Sequence, residues 1–149
     1  MLLLKEADDR GLLFTSSRGS RKGRDLAARP WASATFYWRE TLQQITVAGR
    51  VDPLGPEESD ALFETRPLAA RATTAASRQS EPLLDEEELR ARAGRLAESG
   101  APVRRPEGWT GYVLRPESVE FWYGSPDRLH RRLRYERDGD GWRHQRLQP

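Results

Sequence analysis

The chain has 149 residues, 36% of them hydrophobic and 32% charged, with 25 basic residues against 23 acidic ones and a formal charge of +2. That length suits one domain with a sizeable core, and the small, interspersed charge argues against a nucleic-acid partner. The absence of cysteine excludes disulfides, thiolate zinc sites and cysteine nucleophiles.

Met1-Leu2-Leu3-Leu4 runs at once into Lys5, Glu6, Asp8 and Asp9. It is too short for a signal peptide or a membrane span, so a soluble cytoplasmic protein with no membrane partner is expected. Leu2 to Lys5 and Leu12 to Ser16 read as strands joined by the charged turn Asp8-Asp9-Arg10-Gly11. A strand at residue 2 implies a chain that begins inside a sheet, with a truncated or mis-started N-terminus. Ser20 to Ala28 reads as a short helix with Ser20 as N-cap, ended by Pro30. Ala32 to Trp38 and Gln44 to Asp52 read as strands joined by a hairpin at residues 39–42. Ile45, Val47 and Val51 share one face of the second; Gln44, Thr46 and Arg50 share the other.

Pro56 to Thr65 is helix-like, opening on Pro-Glu-Glu. Residues 67–84 are rich in Ala, Thr and Ser and carry no clear period. Asp85 to Glu98 is the clearest helix, with Asp85 as N-cap, Glu88 three residues on and Ser99-Gly100 as the stop. Leu89, Ala93 and Leu96 give it a narrow apolar stripe, which predicts a surface helix. After a stiff linker over 102–108, Trp109 to Arg115, Ser118 to Trp122, Arg131 to Arg137 and Trp142 to Leu147 read as strands. Asp138-Gly139-Asp140-Gly141 is the last hairpin turn. Strands that outnumber helices and come in hairpins predict a mainly β, antiparallel barrel with helices packed outside.

Ser20-Arg21-Lys22-Gly23-Arg24 opens a helix with free N–H groups and cations, which suits a phosphate, although such a run also serves as a solvated basic surface. Lys5 and Lys22 are the only lysines among the basic residues. Gln44, and Gln79-Ser80 in a loop, can each offer a donor and an acceptor to a heterocycle edge, or simply face solvent. His130 is a substrate contact or a structural histidine; with no cysteine and no second histidine nearby, a metal site is not expected. The five tryptophans are expected in the core by default. Trp122 is set apart because it adjoins the cluster Arg128-Leu129-His130 and Arg132, a combination that suits a flat anionic ligand.

Taken in order, these motifs resemble the pyridoxamine-phosphate-oxidase family of FMN-dependent oxidases over essentially the whole chain. The resemblance implies a split β-barrel, a single FMN-binding domain over 1–149, and the loss of the family's preceding segment with its first strands. It implies FMN contacts at Lys5, Thr15, Ser16, Arg21, Lys22, Gln44, Gln79, Ser80, Trp122 and Arg132. It further implies substrate contacts at Lys5, Arg66, Arg128 and His130, catalytic roles for Arg128, His130 and Arg132, and a homodimer, because the family's sites form between subunits. Where the vitamin-B6 enzymes hold a substrate phosphate with a lysine, a tyrosine, an arginine and a serine, this chain has Lys5, Leu62, Arg66 and Ala70. Losing a charged hydrogen bond costs about 1.5–3 kcal/mol, so a carboxylate on a larger ring suits the site better than a phosphate.

Pro30-Trp31-Ala32-Ser33, Tyr37-Trp38-Arg39-Glu40-Thr41, Gln43-Gln44-Ile45, Ser77-Arg78-Gln79-Ser80-Glu81 and the ending Arg146-Leu147-Gln148-Pro149 resemble the branch of the family that acts in phenazine biosynthesis. The expected activity is therefore aromatisation of a reduced tricyclic carboxylic acid, with hydride passing to flavin N5 and dioxygen reoxidising the flavin. A divergent pyridoxine/pyridoxamine 5'-phosphate oxidase and a flavin-binding module without turnover are the alternatives.

Overall fold

The computed structural model describes residues 2–149. Seven strands and four helices follow one another as β1 (Leu4–Asp8), β2 (Gly11–Ser17), α1 (Arg21–Ala28), β3 (Trp31–Trp38), β4 (Gln43–Pro53), α2 (Pro56–Glu64), α3 (Leu68–Ala76), α4 (Glu86–Glu98), β5 (Trp109–Tyr123), β6 (Arg131–Asp138) and β7 (Gly141–Leu147). The hydrogen-bonded order in the sheet is β1-β2-β5-β4-β3, and β5 also pairs with β6, which carries β7. The expected mainly β, antiparallel architecture is what forms. The described residues divide into two compact units, one of residues 2–5, 13–29 and 53–112, the other of 6–12, 30–52 and 113–149.

The first unit holds all four helices, with α2 against the start of β5 through Ser59 and Phe63, and α3 packed on α4. Ser20 caps α1 as expected, its hydroxyl accepting from Gly23 N–H at 3.1 Å, and Asp85 caps α4 by accepting from Glu88 N–H at 2.9 Å. Phe14 stacks on Tyr112 (centroids 5.3 Å apart), and Phe63 meets Trp109 edge-on at 5.1 Å, in a small cluster completed by Val103. The buried hydroxyls of Ser59 and Thr110 satisfy each other at 3.0 Å, and Ser59 also accepts from Gly111 N–H at 3.1 Å. No residue of α4 is fully buried, so its narrow stripe does place it at the surface.

In the second unit β3 and β4 form a hairpin registered from Trp31↔Arg50 to Trp38↔Gln43. The rest of β5 pairs with β6, placing Trp122 opposite Arg132 and Glu120 opposite Arg134. The last turn is as tight as its sequence demands: Asp138 pairs with Gly141, and Gly139 takes φ +58°. Gly49 allows the backbones to touch, since a Cβ there would lie 1.9 Å from the Arg115 carbonyl oxygen.

Four expectations are corrected. The first strand begins at Leu4 and runs to Asp8, beyond the expected 2–5 span. The ambiguous stretch after residue 67 contains a helix, α3, which buries Ala72 and Ala76, four residues apart on one face. The two strands expected on either side of Pro116 are one strand, β5, because Pro116 lies ahead of the β6 ladder that starts at Ser118 and so removes no donor from that ladder. The tryptophans are not mostly core. Trp109 is buried, whereas Trp31, Trp38 and Trp142 are 40–48% exposed, because β3 and β7 end their strand orders, with no further strand beside them among the described residues.

Candidate functional site

Each unit carries a cleft, and the sequence-predicted residues divide between them. The cleft of the first unit, of about 530 Å³, is lined by Thr15, Ser16, Arg66, Thr74, Gln79 and Trp109 among others. Its floor is the turn from β2 into α1. Ser17 donates its N–H to the Gln79 side-chain oxygen at 3.2 Å, and the Ser16 hydroxyl lies 3.5 Å from the same atom. The Ser80 hydroxyl accepts Arg21 N–H at 3.3 Å. Gln79 and Ser80 thus strap a loop across the turn, and Gln79 keeps its NH₂ group as the donor it can offer a ligand. Ser20, in contrast, is fully buried and used up as a cap, donating to the Ser17 carbonyl at 2.7 Å.

Arg66 reaches the cleft with its guanidinium over the Trp109 ring (5.2 Å) and the Phe63 ring (5.6 Å), and donates to the Thr74 hydroxyl at 2.8 Å. Burial pulls its pKa down from the free-arginine value, but guanidinium stays charged in proteins. Arg66 is therefore a fixed cation that forms no ion pair among the described residues, although Glu81 lines the same cleft. Leu62, at a position where the resemblance places a hydroxyl, packs against the Phe63–Val103–Trp109 cluster instead. Lys5, Arg21 and Lys22 do not line this cleft, and none forms an ion pair among the described residues. Lys5 sits half-buried on β1, and Arg21 and Lys22 occupy the first turn of α1.

That first turn has no acidic residue. The first turns of α2 and α4 carry two and three glutamates respectively, as a helix N-terminus prefers. Cations at the positive end of α1 are unfavourable there unless an anion lies between them and the N–H groups, and a phosphate meets that need.

The cleft of the second unit is larger, about 900 Å³, and includes Trp38, Gln44, Trp122, His130, Arg132 and Arg146 in its walls. Gln44 donates to the Thr46 hydroxyl at 3.2 Å, which orients its amide and leaves its oxygen as an acceptor. Trp122 lies 5.0 Å from the His130 ring. Arg132 is gripped from two sides: its Nε donates to Glu120 at 2.8 Å and its Nη1 to the Gln148 carbonyl at 3.2 Å. The Glu120 carboxylate raises the pKa of Arg132 and offsets part of its positive charge. Arg128 stands outside the cleft wall, exposed, with a left-handed backbone at φ +69°.

Sequence reading missed Glu120, Thr46 and the Gln148 carbonyl. Glu120 shares a strand face with Trp122 by simple alternation, but its partnership with Arg132 needed the β5–β6 register.

Both clefts fit the FMN that the resemblance implies. One combines hydroxyls, an oriented amide NH₂ and a nearby basic helix start. The other combines apolar aromatic walls with an amide and a fixed guanidinium, at the size of a ligand pocket.

Comparison with known proteins agrees with this chemistry. Residues 1–123 match the family model described as pyridoxamine 5'-phosphate oxidase, and residues 109–149 match that of the pyridoxine 5'-phosphate oxidase C-terminal dimerisation region. The dihydrophenazinedicarboxylate synthase of Pseudomonas chlororaphis is 46% identical over 149 residues, covering 100% of this chain and 67% of its own length. The pyridoxine/pyridoxamine 5'-phosphate oxidase of Thermosynechococcus vestitus is 48% identical over 150 residues, covering 100% of this chain and 71% of its own. The crystal structure of PhzG from Burkholderia lata 383, in complex with tetrahydrophenazine-1-carboxylic acid, superposes with a TM-score of 0.95 at 47% identity, covering 99% of this chain and 73% of that one.

Proposed function

This chain belongs to the pyridoxamine 5'-phosphate oxidase family of FMN-dependent oxidases, and on that premise we propose that it aromatises a reduced tricyclic carboxylic acid of the phenazine type. Identity alone does not choose the substrate, because relatives named for phenazine and for vitamin-B6 chemistry are equally similar. The observation that carries the choice is Leu62. Where a phosphate-binding hydroxyl would stand, an aliphatic side chain is committed to the core cluster, and Ala70 likewise offers no donor. Two missing hydrogen bonds to a dianion cost about 1.5–3 kcal/mol each, whereas a ring carboxylate can be satisfied by one bidentate arginine.

In this reading Arg21 and Lys22 hold the FMN phosphate at the α1 N-terminus, assisted by Thr15, Ser16 and Ser80. Gln79 and Gln44 bond the polar edges of the ring system, Trp122 packs against it, and Arg132 sets the charge beside it. When bound, FMN supplies a two-electron acceptor that dioxygen regenerates. Arg66, Arg128 and His130 face the substrate, with an arginine pairing its carboxylate. One protomer supplies the phosphate-binding residues and its partner the ring-binding ones, so the working form is a homodimer in which each chain, residues 1–149, acts as one FMN-binding domain. The C-terminal match to a dimerisation region supports this.

Retention of Lys5 favours a second reading, a divergent pyridoxine/pyridoxamine 5'-phosphate oxidase. Oxygen consumption by the FMN-loaded protein separates the two. A kcat/KM for a dihydrophenazine carboxylic acid at least tenfold above that for pyridoxine 5'-phosphate is expected, and the reverse ratio would overturn the proposal. No oxygen uptake with either would leave a flavin-binding module without turnover.

A further inference from the structure

The loop from β5 to β6 holds its histidine in a way that fixes the chemistry of the ring. Ser125 donates its backbone N–H to Nδ1 of His130 at 3.1 Å. That nitrogen therefore presents a lone pair, and the single ring hydrogen of the neutral imidazole sits on Nε2. The loop is braced around this contact. The Asp127 carboxylate accepts the Ser125 hydroxyl and, at 2.9 Å, Leu129 N–H. Arg128 donates to the Ser125 carbonyl at 3.1 Å, and its own carbonyl accepts from His130 N–H at 2.8 Å.

These bonds have a chemical consequence. A hydrogen on Nδ1 would set two donors face to face and break the Ser125 contact, so the loop selects the tautomer before any ligand arrives. With Nδ1 occupied, the neutral ring has no free lone pair to offer as a base. It has one donor, Nε2–H, on a residue that lines the larger cleft.

We propose that Ser125 is a positioning residue whose backbone N–H locks His130 as an Nε2–H donor, so that this histidine recognises an acceptor oxygen of the substrate, such as a carboxylate oxygen. The lock is independent of the function proposed above; the identity of what it recognises rests on that reading.

The test uses the ¹⁵N-labelled full chain, with and without FMN. Ring ¹H–¹⁵N correlations should show a protonated Nε2 and an unprotonated Nδ1 in His130, together with slow exchange of the Ser125 amide. His130→Asn places an oxygen near the position of Nδ1, and His130→Gln places an amide near that of Nε2. His130→Asn should keep the Ser125 amide protected while weakening phenazine-1-carboxylate binding by about tenfold or more, the worth of one charged hydrogen bond. His130→Gln should lose the protection but keep most of the binding. An Nδ1–H tautomer in the wild type, or a Ser125 amide that exchanges equally fast in the wild type and in His130→Ala, would overturn the lock. An intact ring signature combined with no binding of phenazine-1-carboxylate by the wild type would uphold the lock and sink the substrate reading instead.

Discussion

Gly23 is the position where the fold and the proposed phosphate site depend on the absence of a single carbon. It lies in the first turn of α1 and is buried against the end of β2. A Cβ there would stand 2.3 Å from the Ser17 carbonyl oxygen and 2.5 Å from that of Arg18. Both are backbone atoms, so the contact is relieved only by moving the helix start or the turn by about 1 Å, an overpacking that typically costs 1–3 kcal/mol. The same movement disrupts the Gly23 N–H bond to Ser20 and the Ser20 bond to Ser17, a cap worth about 1 kcal/mol. Alanine returns about 1 kcal/mol in helix propensity. Gly23→Ala should therefore destabilise the chain by about 1–3 kcal/mol in urea unfolding and weaken FMN binding at least tenfold, measured by quenching of flavin fluorescence. Gly94→Ala is the control. Nothing lies within 4 Å of its Cβ, and it should stabilise α4 by about 0.5–1 kcal/mol with FMN affinity unchanged. A Gly23→Ala protein that unfolds at the wild-type midpoint and binds FMN normally would refute the close approach and the role of this turn together.

Ser59→Ala removes a fully buried hydroxyl that serves both Thr110 and Gly111 N–H, and should cost about 1–3 kcal/mol in chemical denaturation without changing the spectrum of bound flavin. Glu120→Gln keeps an acceptor for Arg132 but removes the charge that offsets it, so it should favour reduced over oxidised FMN several-fold in a spectroelectrochemical titration; an unchanged ratio would show that Glu120 does not act on the ring cleft. The Asp127 pKa is lowered by the Ser125 hydroxyl and then by Leu129 N–H. A depressed carboxyl stabilises the fold fully above its unfolded value and loses that contribution as pH falls through the folded value. The chemical shift of the Leu129 amide should therefore follow the Asp127 carboxyl with a midpoint below 3.8, the ordinary value for an aspartate. A midpoint at or above it would mean that the loop brace is absent in solution.

How far the sequence could be read follows from how local each cause is. Ser20 and Asp85 act on N–H groups three residues away, so both caps were legible. The Gly139-Asp140 turn is self-contained, and the apolar alternation of β4 survives translation into burial. Helix α3 was hidden because its buried stripe is made of alanines, which hydropathy does not separate from the surrounding Ala, Thr and Ser. The exposed tryptophans were misassigned because exposure depends on which strand ends the order, a property of topology that no local window contains. The site divides in the same way. Arg21, Lys22, Trp122 and His130 stand in recognisable runs. The bond from Ser17 to Gln79 joins residues 62 apart, and the grip of Glu120 on Arg132 depends on the β5–β6 register.

Backbone strain marks the same residues from another direction. Among the described residues, Leu42, Ser80 and Arg128 are the non-glycine residues with left-handed backbones, at φ +52°, +74° and +69°. Such a conformation costs about 1–3 kcal/mol and persists only where neighbouring contacts enforce it. Each of the three lies within two residues of a side chain proposed to meet a ligand: Leu42 before Gln44, Ser80 after Gln79, and Arg128 before His130. Each is also tied by a hydrogen bond of its own. The Leu42 carbonyl accepts Gly124 N–H at 2.8 Å, the Ser80 hydroxyl accepts Arg21 N–H at 3.3 Å, and the Arg128 carbonyl accepts His130 N–H at 2.8 Å. A loop free to relax would leave the left-handed region and turn its neighbour's side chain away. These three bonds therefore hold amide and imidazole groups in place in exposed turns, where packing alone would not, and the stability of the surrounding sheet and helices sustains the strain.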